Sequence, residues 1–149
     1  MRFSLKSEYA LRAALDLALH GSPAGLARTS DVARRTGAPA KFLEAVLGQL
    51  RRAGLVESER GSRGGHRLAR PPSRIGAGEV IRAVEGPEAL SVRPIQRRPA
   101  PGAATGSARV LHQLWTETER AVAASLDGVT LEDLTRRVQE SSGVPDFNI

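Results

Sequence analysis

Glycine and proline divide the first half of this chain into short pieces: Gly21-Ser22-Pro23-Ala24-Gly25, Gly37 with Pro39, Gly54, Gly61 with Gly64-Gly65, and Pro71-Pro72. Both residues end regular structure, glycine by relaxing the backbone and proline by withholding an amide donor. A long helix or broad sheet is therefore excluded there, and each piece must declare itself by its own periodicity. Leu5, Tyr9, Ala13 and Leu17 recur every four residues between Ser4 and His20, which predicts an amphipathic first helix ending at Gly21. Thr29-Ser30-Asp31 offers capping side chains for a short second helix from about Asp31 to Thr36, stopped by Gly37. Ala33 is small enough to let two helices touch. Pro39 suits the first turn of a third helix, whose Phe42, Leu43, Val46, Leu47 and Leu50 lie at spacings of three and four before Gly54. Leu55 to Arg60 and His66 to Arg70 flank the glycine-rich turn as arms of a β-hairpin.

The second half is punctuated differently. Gly78 to Glu85 reads as a short helix with Val80, Ile81 and Val84 on its apolar side. Residues 86–107 hold four Pro and three Gly and read as a loop. From about Ser107 to Leu126 a longer helix places Leu111, Leu114, Trp115, Val122 and Leu126 on one face. Thr130-Leu131-Glu132-Asp133 has the capping-box pattern for a last helix, and the tail after Gly143 is expected to fray.

Composition narrows the chemistry. The chain contains no cysteine, which removes disulfides, thiolate nucleophiles, Cys-ligated zinc and all-Cys iron-sulfur clusters. Its three histidines, His20, His66 and His112, are scattered, and neither a Gly-x-Ser-x-Gly motif nor a paired-carboxylate site is present, which argues against an enzyme. Lys6, Glu8, Arg12 and Asp16 interrupt the apolar N-terminal stretch, so neither a signal peptide nor a membrane span is expected and a cytoplasmic location is. Residues 1–75 hold 14 Lys+Arg against 6 Asp+Glu, whereas the remainder is net −2. A polyanion belongs on the basic half.

Helix, helix, tight turn, helix and hairpin, in that order and all within the basic half, is the plan of a winged helix-turn-helix, whose third helix enters the DNA major groove. The expected fold is mainly α with a small β-hairpin: a DNA-binding domain over residues 1–86, a loop over 87–106, and a dimerisation helix with a C-terminal helix over 107–149. Ala40, Lys41 and Glu44 at the start of the third helix are candidates for base edges, and Arg51 and Arg52 for phosphates. Glu44 either accepts from a base amine such as cytosine N4 or pairs with a basic neighbour. At the hairpin tip Arg60, Ser62 and Arg63 form a minor-groove or phosphate finger; a P-loop would need Gly-Lys-Ser/Thr and a following helix. Arg2, Lys6, Thr29, Ser30 and Phe42 complete the candidate DNA contacts. His66 is read as a packing or hydrogen-bonding side chain. The apolar face of the long helix exceeds what one small domain can cover, which predicts a homodimer.

Several stretches carry a resemblance: Met1 to Gly21, Ala40-Lys41-Phe42-Leu43-Glu44, Leu50-Arg51-Arg52-Ala53-Gly54-Leu55-Val56, Arg60-Gly61 with Gly64-Gly65-His66-Arg67-Leu68-Ala69-Arg70-Pro71, and Val80 to Gly86. They resemble the IscR/NsrR-type (Rrf-two) transcriptional regulators up to about Gly86, and the match resumes at Leu114-Trp115 and from Val129 to Leu134. The resemblance implies a homodimer, held by the long helix, that binds pseudo-palindromic double-stranded DNA; repression is the expected action. Arg60 matches the family's minor-groove arginine, and Ala40 to Glu44 its base readers. Two departures stand out. The family's usual Gly-Gly-Gly-Tyr is Arg63-Gly64-Gly65-His66 here, and the three cysteines of cluster-sensing members are missing from the segment after Glu85-Gly86, which runs Ala89 to Arg98. No metal and no cofactor are therefore expected, and Glu8 and His112, which correspond to ligand positions of some members, read as a surface carboxylate and a helix residue. The signal would be a small molecule or a protein, and Arg93, Arg97 and Arg98 form either an anion site or a solvated loop. A regulator is expected over a nucleoid-type protein that binds DNA without sequence preference.

Overall fold

A computed structural model of the chain describes residues 3–21, 25–92 and 106–143. Arg2, expected at the DNA, and Arg93, Arg97 and Arg98 of the loop lie outside the described residues. Six α-helices, one 3₁₀ turn and a two-stranded hairpin follow in the order α1 Leu5–His20, α2 Thr29–Thr36, α3 Ala40–Arg52, β1 Val56–Glu59, β2 Gly65–Leu68, the 3₁₀ turn Pro72–Arg74, α4 Ala77–Glu85, α5 Gly106–Asp127 and α6 Leu131–Ser142. The fold class is thus mainly α with a small hairpin, as expected.

α1 is capped by Ser4, whose Oγ accepts from the Lys6 and Ser7 amides at 3.1 and 3.3 Å. Its buried stripe is Ser7, Ala10, Ala13, Ala14, Asp16 and Leu17, while Leu5 is 64% exposed. The four-residue periodicity thus located the helix but missed part of its inner face, because small alanines let α3 and α4 approach the axis closely. α2 starts two residues before the expected point, with Arg28 at its cap and no side-chain cap bond, so Thr29 and Ser30 are released from capping. Gly37 ends α2 with φ of 71°, a left-handed conformation that costs a side-chain-bearing residue dearly. Pro39 is the residue at the cap of α3, just outside the helix.

Leu43, Val46, Leu47 and Leu50 of α3 are buried with Ala10, Ala13, Ala14 and Leu17 of α1, Val32 of α2, and Val80 and Val84 of α4. Each buried leucine is worth about 2–5 kcal/mol against truncation to alanine. α3 is therefore held from below by α1, α2 and α4. β1 and β2 pair antiparallel in the register Val56 with Leu68 and Glu59 with Gly65. A single bridge residue adds to them: Ala27 and His66 exchange backbone bonds of 2.9 and 2.8 Å. Gly65 permits this approach, since a Cβ there would lie 2.6 Å from the Ala27 carbonyl oxygen.

A bidentate pair ties α1 to α2, with Arg35 Nε and Nη2 donating to the two oxygens of buried Asp16 at 2.8 Å each. α5 leaves this body: none of its 22 residues is buried. It is joined at its end by Arg82 of α4 donating to Asp127 at 2.6 Å. α6 returns to the bundle. The Leu131 amide donates to the Ile75 carbonyl at 2.9 Å, and the Leu131 side chain enters the core. The Thr130 capping box read from the sequence is formed, its hydroxyl accepting from the Asp133 amide at 3.1 Å and Asp133 accepting from the Thr130 amide at 3.0 Å. Those bonds hold the Asp133 carboxyl below its usual range.

Candidate nucleic-acid interface

Three elements meet at one groove of about 470 Å³: the entry to α2 (Arg28, Thr29, Ser30), the start of α3 (Ala40, Glu44) and the wing (Glu59, Gly61, Ser62, His66). The helix-turn-helix geometry brings the first two together, and the backbone bridge from Ala27 to His66 seats the third. Arg28 reinforces it by donating its guanidinium to the Ser62 carbonyl. Sequence reasoning did not pick out Arg28, because a wing carbonyl 34 residues away leaves no local pattern.

At the centre lies His66, half-buried, with Nε2 2.8 Å from the Thr29 hydroxyl and Nδ1 2.7 Å from the Ser58 hydroxyl. Both ring nitrogens are thus engaged by hydroxyls, in keeping with the hydrogen-bonding role read from the sequence. Burial lowers its basicity first, the Arg51 charge lowers it further, and Glu44 opposes them.

Two groups of cations contrast. Arg67 pairs with Glu57 at 2.9 Å, Arg35 with Asp16, Arg12 with Glu8 at 2.8 Å, Arg70 with Glu79, and Arg82 with Asp127. Lys41, Arg51 and Arg52 on α3 and Arg60 and Arg63 on the wing are exposed, and no carboxylate among the described residues pairs with them. Glu44 is likewise exposed and makes no ion pair among the described residues. The second of the two alternatives for this carboxylate, a basic partner on its own surface, is therefore not what the structure shows. Exposed charges without internal partners form a local field that a polyanion can neutralise without breaking any ion pair.

Phe42, 36% exposed on α3, packs edge-on against Tyr9 of α1 with ring centroids 5.5 Å apart, and Arg12 lies over the Tyr9 ring. Its free edge presents an apolar surface beside Lys41. Lys6 stands apart from this group, on the first turn of α1, where its charge acts on Glu85 of α4. Of the helix α5 candidates, Leu111 and Leu114 are 51% and 48% exposed, and Trp115, Val122 and Leu126 are partly covered.

The chain matches the family model Rrf2, described as iron-dependent transcriptional regulator, over residues 3–137. It is 36% identical over 134 residues to the HTH-type transcriptional regulator IscR of Aliivibrio salmonicida, covering 90% of this chain and 77% of that protein. Among solved structures it is similar to CymR, the global cysteine regulator of B. subtilis, with a TM-score of 0.75 and 32% identity over 92% of this chain and 98% of that one. T. potens IscR gives a TM-score of 0.75 and 30% identity over 99% of this chain and 95% of its own. A helix-turn-helix and wing in this order, related at this identity along nearly the whole length, establish that the chain belongs to the Rrf2 family of transcriptional regulators.

Proposed function

We propose that this Rrf2 regulator is a homodimeric repressor that reads a pseudo-palindromic operator with α3 and the wing, without an iron-sulfur cluster and without catalysis. The observation that carries it is that Lys41, Arg51 and Arg52 on α3 and Arg60 and Arg63 on the wing, the two elements that border the groove with α2, are exposed with no carboxylate partner among the described residues, while Arg12, Arg35, Arg67, Arg70 and Arg82 are paired internally. In this reading Arg51, Arg52 and Arg63 meet phosphates, together with Thr29, Ser30 and Ser62, and Arg60 enters the minor groove. Lys41, Phe42 and Glu44 face base edges, with Ala40 leaving room for them: an ammonium to guanine, an aromatic edge to a thymine methyl, and a carboxylate to a cytosine amine. Residues 1–86 are the DNA-binding unit and 107–149 carry dimerisation through Leu111, Leu114, Trp115, Val122 and Leu126. No helix among the described residues is long and apolar enough to cross a membrane, and the cytoplasm, where the DNA is, is the proposed site of action.

The donor set does not fit the cluster-bound form of the family. Such clusters rest on thiolates, and the sequence has none. No three His, Asp or Glu converge among the described residues. Glu8 is held by Arg12, and His66 has both nitrogens on hydroxyls. The effector that replaces a cluster is accordingly a small molecule or a protein.

Selection of a randomised duplex pool against the full chain tests the proposal. It should yield an inverted repeat whose half-sites lie about one helical turn, roughly 34 Å, apart. The selected duplex should bind at least about a thousandfold more tightly than random DNA, and should silence a reporter when placed across its promoter. Equal affinity for the two duplexes would reduce the protein to a non-specific DNA coat.

A further inference from the structure

His66 occupies a place in the groove that its role as a mere packing residue does not explain. Its ring links three elements through side chains alone, from Ser58 on β1 at 2.7 Å to Thr29 at the start of α2 at 2.8 Å, while its backbone bridges to Ala27. A neutral imidazole has one N–H and one lone pair, so one hydroxyl must donate to it and the other accept. If Thr29 donates inward, its hydrogen is unavailable to a phosphate. A protonated ring donates from both nitrogens, and both hydroxyl hydrogens must then point away from it.

We propose that His66 is a positioning residue of the DNA-reading groove that takes up a proton from solvent as the duplex binds, turning the Thr29 hydroxyl outward to a backbone phosphate, so that affinity rises as pH falls. The inference rests on the DNA-binding reading given above. Thr29 is suited to this task because α2 begins there without a side-chain cap, which leaves its hydroxyl to His66 and to whatever occupies the groove. The charged groups around the ring come from every neighbouring element: Arg28 before α2, Glu44 and Arg51 on α3, and Glu59 on β1. Arg28 is engaged by the Ser62 carbonyl, and Glu44 is the unpaired carboxylate.

The sign follows from these charges. In the free protein burial and Arg51 hold the imidazole below its ordinary range, against the pull of Glu44. Arriving phosphates add negative charge beside the ring and raise it. A bound value above the free value means proton uptake, so affinity grows as pH falls through the bound value and levels off below the free one.

Fluorescence anisotropy with the selected duplex and a random duplex, between about pH 5.5 and 8, tests this on the full wild-type chain, His66→Gln and His66→Phe. Wild type should strengthen about three- to tenfold per protomer, or about ten- to a hundredfold for the dimer, as pH falls, the range set by an imidazole shift of about half to one unit in each protomer. His66→Gln, which keeps a donor and an acceptor but cannot titrate, should lose that dependence whatever its absolute affinity. His66→Phe should bind weakly throughout. Imidazole NMR on the wild type, with resonances assigned against His66→Gln or through-bond, reads the same shift directly and does not depend on a variant folding. Identical His66 titration with and without duplex, or an unchanged pH profile in His66→Gln, overturns the proposal and leaves the DNA reading standing. Failure of wild type to bind any duplex at any pH overturns both.

Discussion

The division of arginines into paired and unpaired sets has a quantitative consequence in salt. Arg51 and Arg52 lie exposed at the end of α3 with no carboxylate partner among the described residues, whereas Arg67 on β2 is held by Glu57 at 2.9 Å and Glu59 at 3.7 Å. Replacing both Arg51 and Arg52 with alanine removes two phosphate contacts per protomer, or four in a dimer. Each contact contributes about 0.9 to the slope of log affinity against log salt, so the slope should become shallower by about 3 to 4. At about 0.1 M salt that is roughly a thousandfold loss, and the loss should vanish as salt approaches about 1 M, where release of counterions no longer drives binding. Folding should barely change, because the variant gives up only the interaction of two cations with the helix C-terminus, a few tenths to about 1 kcal/mol each. Arg67→Ala should do the reverse: it breaks a surface ion pair worth at most about 1 kcal/mol and leaves the salt slope alone. Anisotropy titrations of the selected duplex at several salt concentrations, with thermal melts alongside, measure both effects. A slope unchanged in the double variant, or lowered equally by Arg67→Ala, would refute the argument from pairing.

Four further outcomes are expected. Lys41→Ala should weaken the selected duplex by about 1–3 kcal/mol and random DNA far less, and equal losses in a competition assay would make it a phosphate contact. Glutamate at both Leu114 and Val122 should yield monomers in sedimentation with poor operator binding, and wild type already monomeric at micromolar concentration would dispose of the dimer. Asp16→Ala should destabilise by about 2–3 kcal/mol in urea, below the about 3–5 of a fully enclosed pair because the Arg35 side chain is 28% exposed and partly rehydrates. A loss under about 1 kcal/mol, or no recovery when Arg35 is removed as well, would show that the pair does not clamp α1 to α2. Glu85 accepts from the Ser4 and Ser7 hydroxyls, which hold its carboxyl below the usual range. Its contribution is therefore complete above the ordinary carboxylate range and is lost as pH falls through the depressed value, so Glu85→Gln should lower stability at neutral pH, converge on wild type in acid, and thereby flatten the acid limb of a stability profile.

How much of this was legible depends on the range of the interaction concerned. Helix ends set by Gly37, Gly54 and Gly86, and the Thr130 capping box, were readable because a stop or a cap is a contact within four residues. The spacing of Leu43, Val46, Leu47 and Leu50 marked the buried face of α3 for the same reason, and so exposed Lys41, Glu44, Arg51 and Arg52 as its outward set. Alanine is ambiguous, being small enough for either side of a helix. The stripe on α1 therefore had to await the helices that pack against it, and Leu5, which completes a tidy period of four, is exposed. The 3₁₀ turn Pro72–Arg74 was hidden because two prolines are equally at home in an open loop.

Local order, element type and the sign of charge on each half were thus determined by the sequence alone, since they follow from propensity, periodicity and composition. Tertiary structure decided everything that depends on which distant groups meet. Arg35 and Arg51 look alike in the sequence, yet folding carries one to Asp16 and leaves the other without a carboxylate among the described residues. His66 is an ordinary strand residue until the hairpin closes and the Ala27 bridge forms, after which it joins β1 to the start of α2. The physical reason is that charge and hydrogen-bonding capacity are carried by the residue, whereas their satisfaction is set by neighbours many residues away. A binding surface consists of the capacity that folding leaves unsatisfied.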